Sequence, residues 1–153
     1  MKRRIHATAS ILSALFLATF WTSTIITELF LSATAVAEVK QLIAHALLAF
    51  VPLMGLTAAT GFSMGARVNH PLIKLKRRRT PVIGINGLFI LVPSALFLWI
   101  RARAGQFDGA FYSVQVIELI AGALNLTLIG LNIRDGLQLS RLHRARKPGI
   151  NEQ

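Results

Sequence analysis

Cysteine is missing from all 153 residues, so the chain holds no disulfide, no thiolate metal site and no cysteine nucleophile. Carboxylates are scarce too: 6 Asp+Glu stand against 17 Lys+Arg, a formal charge of +11. In a water-soluble chain that imbalance points to nucleic acid. Here the basic residues are confined to short stretches between long apolar ones, with no aromatics interleaved in "KLKRRR" (74–79), so nucleic acid is not an expected partner. No glycine-rich phosphate loop, HExxH pair or catalytic triad appears, and the chain is not expected to be an enzyme.

Apolar sequence fills the space that charge leaves. Hydrophobic residues make up 54% of the chain, and the mean hydropathy is +0.58. Between Arg4 and Glu28, Lys40 and Arg67, and Arg79 and Arg101 there is no Lys, Arg, Asp or Glu at all; between Asp108 and Arg134 only Glu118 intervenes. A spanning helix needs about 20 mostly apolar residues, and lipid forces backbone groups to bond within the segment. The pattern predicts an all-α membrane protein with transmembrane helices over 9–32, 41–65, 81–100 and 111–133, in one domain covering 1–147 with a tail at 148–153. Short connections (33–40, 66–80 and 101–110) predict an up-down-up-down four-helix bundle.

Basic residues orient it. Lys2, Arg3, Arg4, Arg67, Lys74, Lys76, Arg77, Arg78, Arg79, Arg134, Arg141, Arg144, Arg146 and Lys147 fall on one side, and Lys40, Arg101 and Arg103 on the other. The positive-inside rule places both termini in the cytoplasm of a bacterial-type inner membrane. Trp99, Phe107, Phe111 and Tyr112 form an aromatic belt at the outer interface. The start also fits a secretory signal with cleavage after Ala35-Val36-Ala37, which would leave three spans and an external start. Thr80 and Pro81 read as N-cap and first residue of the third helix. Pro52 and Pro93 inside spans predict kinks.

The most informative stretch is "VQVIELIAGALNLTLIGLNIRDG" (114–136). Gln115, Glu118, Gly122, Asn125, Ile129, Asn132 and Gly136 fall on one helical seam, while the other faces are Leu, Ile, Val and Ala. Such a seam belongs inside the bundle, where small residues allow close approach and amides bond across helices. By depth, Glu28, His45 and Glu118 share the outer half, as a candidate intramembrane polar or proton site, with His45, Lys40, Arg101 and Arg103 as available partners for the carboxylates. Asn86 and Asn132 fall in the inner half, and are expected within direct or water-bridged reach of each other. "GFSMG" (61–65) is a GxxxG pattern, serving packing within the bundle or a homodimer face. Lys74, Lys76, Arg77, Arg78 and Arg79 read as a topology signal or a lipid-headgroup contact worth about 1 kcal/mol per residue.

Three functions stay open. The seam serves packing, or assembly with a membrane partner, in a lipid bilayer; or Glu28 and Glu118 carry protons in a small oligomeric transporter; or a cofactor makes the protein a membrane electron carrier. No cofactor is expected. Haem would have to use His45 without a facing histidine, or His6 with His70, and zinc would need His45, Glu28 and Glu118.

Overall fold

A computed structural model describes residues 2–65 and 71–145. Arg67, His70, Arg146, Lys147 and the tail 148–153 therefore lie outside the described residues. The described chain is helical in four long stretches: α1 (Lys2–Phe30), α2 (Ala33–Gly65), α3 (Pro71–Asn86) running through a π-helical turn (Gly87–Leu91) into α4 (Val92–Arg103), and α5 (Gly109–Ala145). Each stretch includes a segment long and apolar enough to cross a membrane.

Helix boundaries depart from the apolar runs in two instructive places. Residues 33–40 are not a loop: α2 begins at Ala33, because Ser32 caps it, its Oγ accepting from the Ala35 N–H at 3.3 Å. Ala33, Ala35 and Ala37 are strong helix formers, so the helix starts early and carries Lys40 two turns in. Nor is 66–80 a loop throughout. The basic run lies within α3, Thr80 Oγ1 donates to the Lys76 carbonyl at 2.9 Å, and Pro81 sits mid-helix, not at its first turn. Pro81 deprives the Arg77 carbonyl of its usual donor.

The prolines inside spans have different consequences. Pro52 lies within the continuous helix α2. Pro93 follows the π-helical turn, where the Val92 N–H reaches back five residues to Gly87. A proline ring crowds the preceding turn of an α-helix, and a widened turn relieves that crowding.

The connection from α4 to α5 is tightly built. Gly105 takes φ +68, the Gly105 N–H donates to Ala102 at 3.0 Å and the Gln106 N–H donates to Arg101 at 2.9 Å, the paired bonds of a Schellman stop. Three residues later Asp108 caps α5, its Oδ1 accepting from the Phe111 N–H at 3.0 Å. Arg101 ties the two ends together, donating to Gln106 at 2.8 Å and to Asp108 at 2.6 Å.

Two apolar clusters hold the helices. Leu17, Ile43, Leu47, Phe50 and Ala95 form the larger, with Phe16, Phe20, Met54 and Leu126 packed against it. Val36, Leu98, Ala102 and Phe111 form the smaller, beside the α4–α5 connection. Val36, within the Ala35-Val36-Ala37 motif, is thus a core residue. Large apolar side chains also cover the outside: Leu29, Phe30, Leu42, Leu48, Ile85, Phe89, Ile100 and Ile120 are all exposed.

Candidate functional site

The early start of α2 decides the centre of the molecule. Lys40 is completely buried, and its Nζ lies 2.6 Å from Glu118 Oε2 on α5. It also donates to Thr24 Oγ1 of α1 at 3.5 Å. Gln115, one turn before Glu118 and buried, donates from Nε2 to the same carboxylate oxygen at 3.1 Å. Glu28, one turn after Thr24, is close enough to interact electrostatically with both Lys40 and Glu118. Three helices therefore gather one ammonium and two carboxylates, and among the described residues Glu118 is the carboxylate that pairs with Lys40. Glu28 Oε1 and Gln115 Oε1 are buried with no hydrogen-bond partner among the described residues.

His45 is not brought to this group. It is exposed, its Nδ1 donates to the Gln41 carbonyl at 2.8 Å, and its ring rests edge-on against Trp99 at 5.9 Å. Equal depth did not suffice. Five residues separate His45 from Lys40, and at about 100° per residue that turns it some 140° away from the face Lys40 presents. The sequence offers Lys40 only as one of four outer cations, with His45, Arg101 and Arg103. The signal that singles it out is its spacing with the core residues Ile43, Leu47 and Phe50, which set the buried stripe of α2.

Below the ion pair Trp21 crosses to α5, its Nε1 donating to the Leu119 carbonyl at 3.0 Å. Gly122 makes that approach possible, since a Cβ there would lie 2.9 Å from Trp21 Cδ1. Trp21, Thr24, Glu118 and Gly122, with apolar side chains including Phe20 and Phe50, line a cavity of about 40 Å³. Its walls are almost wholly hydrocarbon, with Glu118 among the lining residues.

Two further polar levels sit along α5. Asn86 does not meet Asn132. It donates from Nδ2 to Asn125 Oδ1 at 2.8 Å and to the Ala121 carbonyl at 2.9 Å, while Asn125 returns a bond to the Ile83 carbonyl at 3.2 Å. The expected partner was wrong by seven residues, about 10 Å along the helix axis. Placing both amides in the inner half of the membrane did not resolve register at that scale. Asn132 is buried, with Oδ1 lacking a partner among the described residues. Nearer the basic run, Arg79 donates to Asp135 Oδ2 at 2.7 Å and Arg134 lies 3.4 Å from Oδ1. Asp135 is 1% exposed. This second buried pair was not expected, because both partners belonged to stretches read as flanks.

The remaining sequence features find local places. Lys76 and Arg79 are partly buried, and Lys74, Arg77 and Arg78 exposed. Gly61 packs against the His6 ring, where a Cβ would lie 3.0 Å from Cε1. His6 Nδ1 is 3.1 Å from the Thr57 carbonyl and 3.0 Å from Thr60 Oγ1. "GFSMG" also spells the G-x-S-x-G of a nucleophile elbow, but Ser63 is in mid-helix and donates to the Thr60 carbonyl at 3.0 Å, without the strand and sharp turn that elbow needs. Among the described residues no three His, Asp or Glu side chains converge.

Comparisons with protein-family models, with curated proteins and with solved structures find no match.

Proposed function

We propose that the chain is an integral inner-membrane protein of four spans, arranged up-down-up-down with both termini and the basic run in the cytoplasm. It serves as a structural or assembly component of the membrane. One observation carries this reading: three strongly polar groups of α5 are engaged inside, Glu118 by Lys40, Asn125 by Asn86 and Asp135 by Arg79, while the outward residues of the same helix include Val116, Ile117, Ile120, Leu124 and Leu137. Polar cross-links inside and hydrocarbon outside are the pattern a bilayer selects. The antiparallel sequence has its own support. His6 meets Thr57, Phe16 meets Phe50 and Thr24 meets Lys40, so advancing along α1 means retreating along α2.

Reporter fusions at Gly105 and at the C-terminus test the topology. Opposite signals are expected, and matching signals reject it. Copurification in mild detergent tests the assembly role, which requires a reproducible membrane-protein partner or a second copy of this chain.

A second reading is favoured by Glu28 alone. Glu28 Oε1 is buried with no donor among the described residues while the Lys40 ammonium is held by Glu118, so Glu28 is suited to accepting a proton. On that reading Glu28→Gln abolishes proton flux in proteoliposomes while the bundle stays folded. Flux equal to that of the unaltered protein rejects it.

A further inference from the structure

The basic run of α3 is divided by the helix into two sets. Lys76 and Arg79 turn inward, Arg79 onto Asp135. Lys74, Arg77 and Arg78 turn outward at spacings of three and four residues, so they share one face. Among the described residues these three have no ion pair or hydrogen bond. Nor, among the described residues, is a carboxylate at hand to neutralise them. Glu28 and Glu118 gather around Lys40, Glu38 lies two residues before it, and Asp108 caps α5 at that same end. Asp135, the carboxylate at the basic end among the described residues, is engaged by Arg79 and Arg134.

Beyond the cationic face the same side of the helix becomes hydrocarbon. Pro81, Val82, Ile85, Leu88 and Phe89 are all exposed, continuing the 74–78 face upward. From Arg78 to Ile85 is seven residues, about 10 Å along the helix. A cluster of positive charge thus sits at the foot of an apolar ridge with the spacing of a phospholipid's phosphate to its upper acyl chain.

We infer that this face of α3 is a binding site for a net-anionic phospholipid, with the charged phosphate of its headgroup on Lys74, Arg77 and Arg78 and an acyl chain along Val82, Ile85 and Phe89. A zwitterionic lipid brings an ammonium that cancels its phosphate charge and is repelled by three cations, so the face selects a headgroup with no compensating amine. The site rests on the four-span reading. It goes beyond a topology signal, which acts during insertion and asks nothing of headgroup chemistry afterwards.

The experiment is thermal unfolding of the purified protein in nanodiscs of phosphatidylcholine alone and of phosphatidylcholine with phosphatidylglycerol. Phosphatidylglycerol is expected to raise Tm by roughly 5 °C in the unaltered chain, since a ligand that binds only the folded state stabilises it. The variant K74Q/R77Q/R78Q should lose that rise while matching the unaltered Tm in phosphatidylcholine, and Arg4→Gln should keep it. An equal rise in the triple variant, no rise in the unaltered chain, or the same rise from inorganic phosphate in detergent would each overturn the site. Failure to enter phosphatidylcholine nanodiscs at all would instead overturn the four-span reading beneath it.

Discussion

Lys40 shows what a single residue can and cannot disclose. As a letter in the sequence it is an ordinary flank of an apolar run; in the fold it is fully buried, 2.6 Å from Glu118. Two charges removed from water are held by each other, and deleting one strands the other. Lys40→Met is therefore expected to destabilise the bundle by about 3–5 kcal/mol, read from denaturant unfolding in detergent. Adding Glu118→Leu should recover much of the loss, because replacing both members of a buried pair with apolar groups costs little. A single variant as stable as the unaltered chain would mean that the pair contributes nothing. Gly122 is the opposite case, a residue legible in part. Its place on the seam marked it as inward-facing, but only the structure shows Trp21 as the group it admits. Gly122→Ala should displace the Trp21 ring and break its bond to Leu119, shifting tryptophan emission and costing about 1–3 kcal/mol by overpacking. Unchanged emission would show that the ring does not need the space.

Elements were easier to read than their ends. Apolar runs locate four helical stretches because lipid-crossing length is a coarse property that a few residues cannot spoil. Boundaries depend on caps, and a cap is one side chain. Ser32 moves the start of α2 back to Ala33 and carries Lys40 inward; Gly105 and Asp108 stop α4 and start α5 within five residues of Arg103. Of the candidate site, the inward α5 seam was visible through its 3.6-residue period, whereas the partners across it were not. Pairing needs register between helices, and register follows from those same boundaries. The Asp108 cap has a measurable signature. Its bond from the Phe111 N–H holds the carboxyl below the usual aspartate value; desolvation opposes this, and Arg101 at 2.6 Å adds to the lowering. A depressed folded value means the contribution is complete above the unfolded pKa of about 3.9 and fades as pH falls through the folded value. Asp108→Asn keeps a good N-cap but cannot ionise. Its Tm is expected to fall less steeply than that of the unaltered chain below about pH 4. Identical acid limbs would remove Asp108 from the pH dependence.

At the scale of the whole molecule α5 is bonded at three levels: Glu118 to α2, Asn125 to α3 and Asp135 to α3 again, seven and ten residues apart. That is about 10 Å and 15 Å along the axis. The levels share no side chain, and between them lie Trp21 against Gly122 and the apolar contacts of Leu126 and Ile129. If the seam is a set of pins fixing register, each level should act alone. Distant substitutions without shared partners add to within about 0.5 kcal/mol. The cycle built from Lys40→Met and Arg79→Met is therefore expected to be additive, while the cycle within one level, Lys40→Met with Glu118→Leu, should show a coupling above about 1 kcal/mol. The proton-exchanging reading makes a different demand. To carry anything across the membrane, a change at the Lys40 level must shift the equilibrium between two arrangements of the helices, and a change at the Asp135 level must bias that same equilibrium. The two ends would then be coupled despite their distance. Strong non-additivity between Lys40→Met and Arg79→Met would sink the independent-pin account and favour a bundle that moves as a unit. Additivity would leave α5 as a fixed spine, with Glu28 able to take up a proton only without consequence for the opposite end.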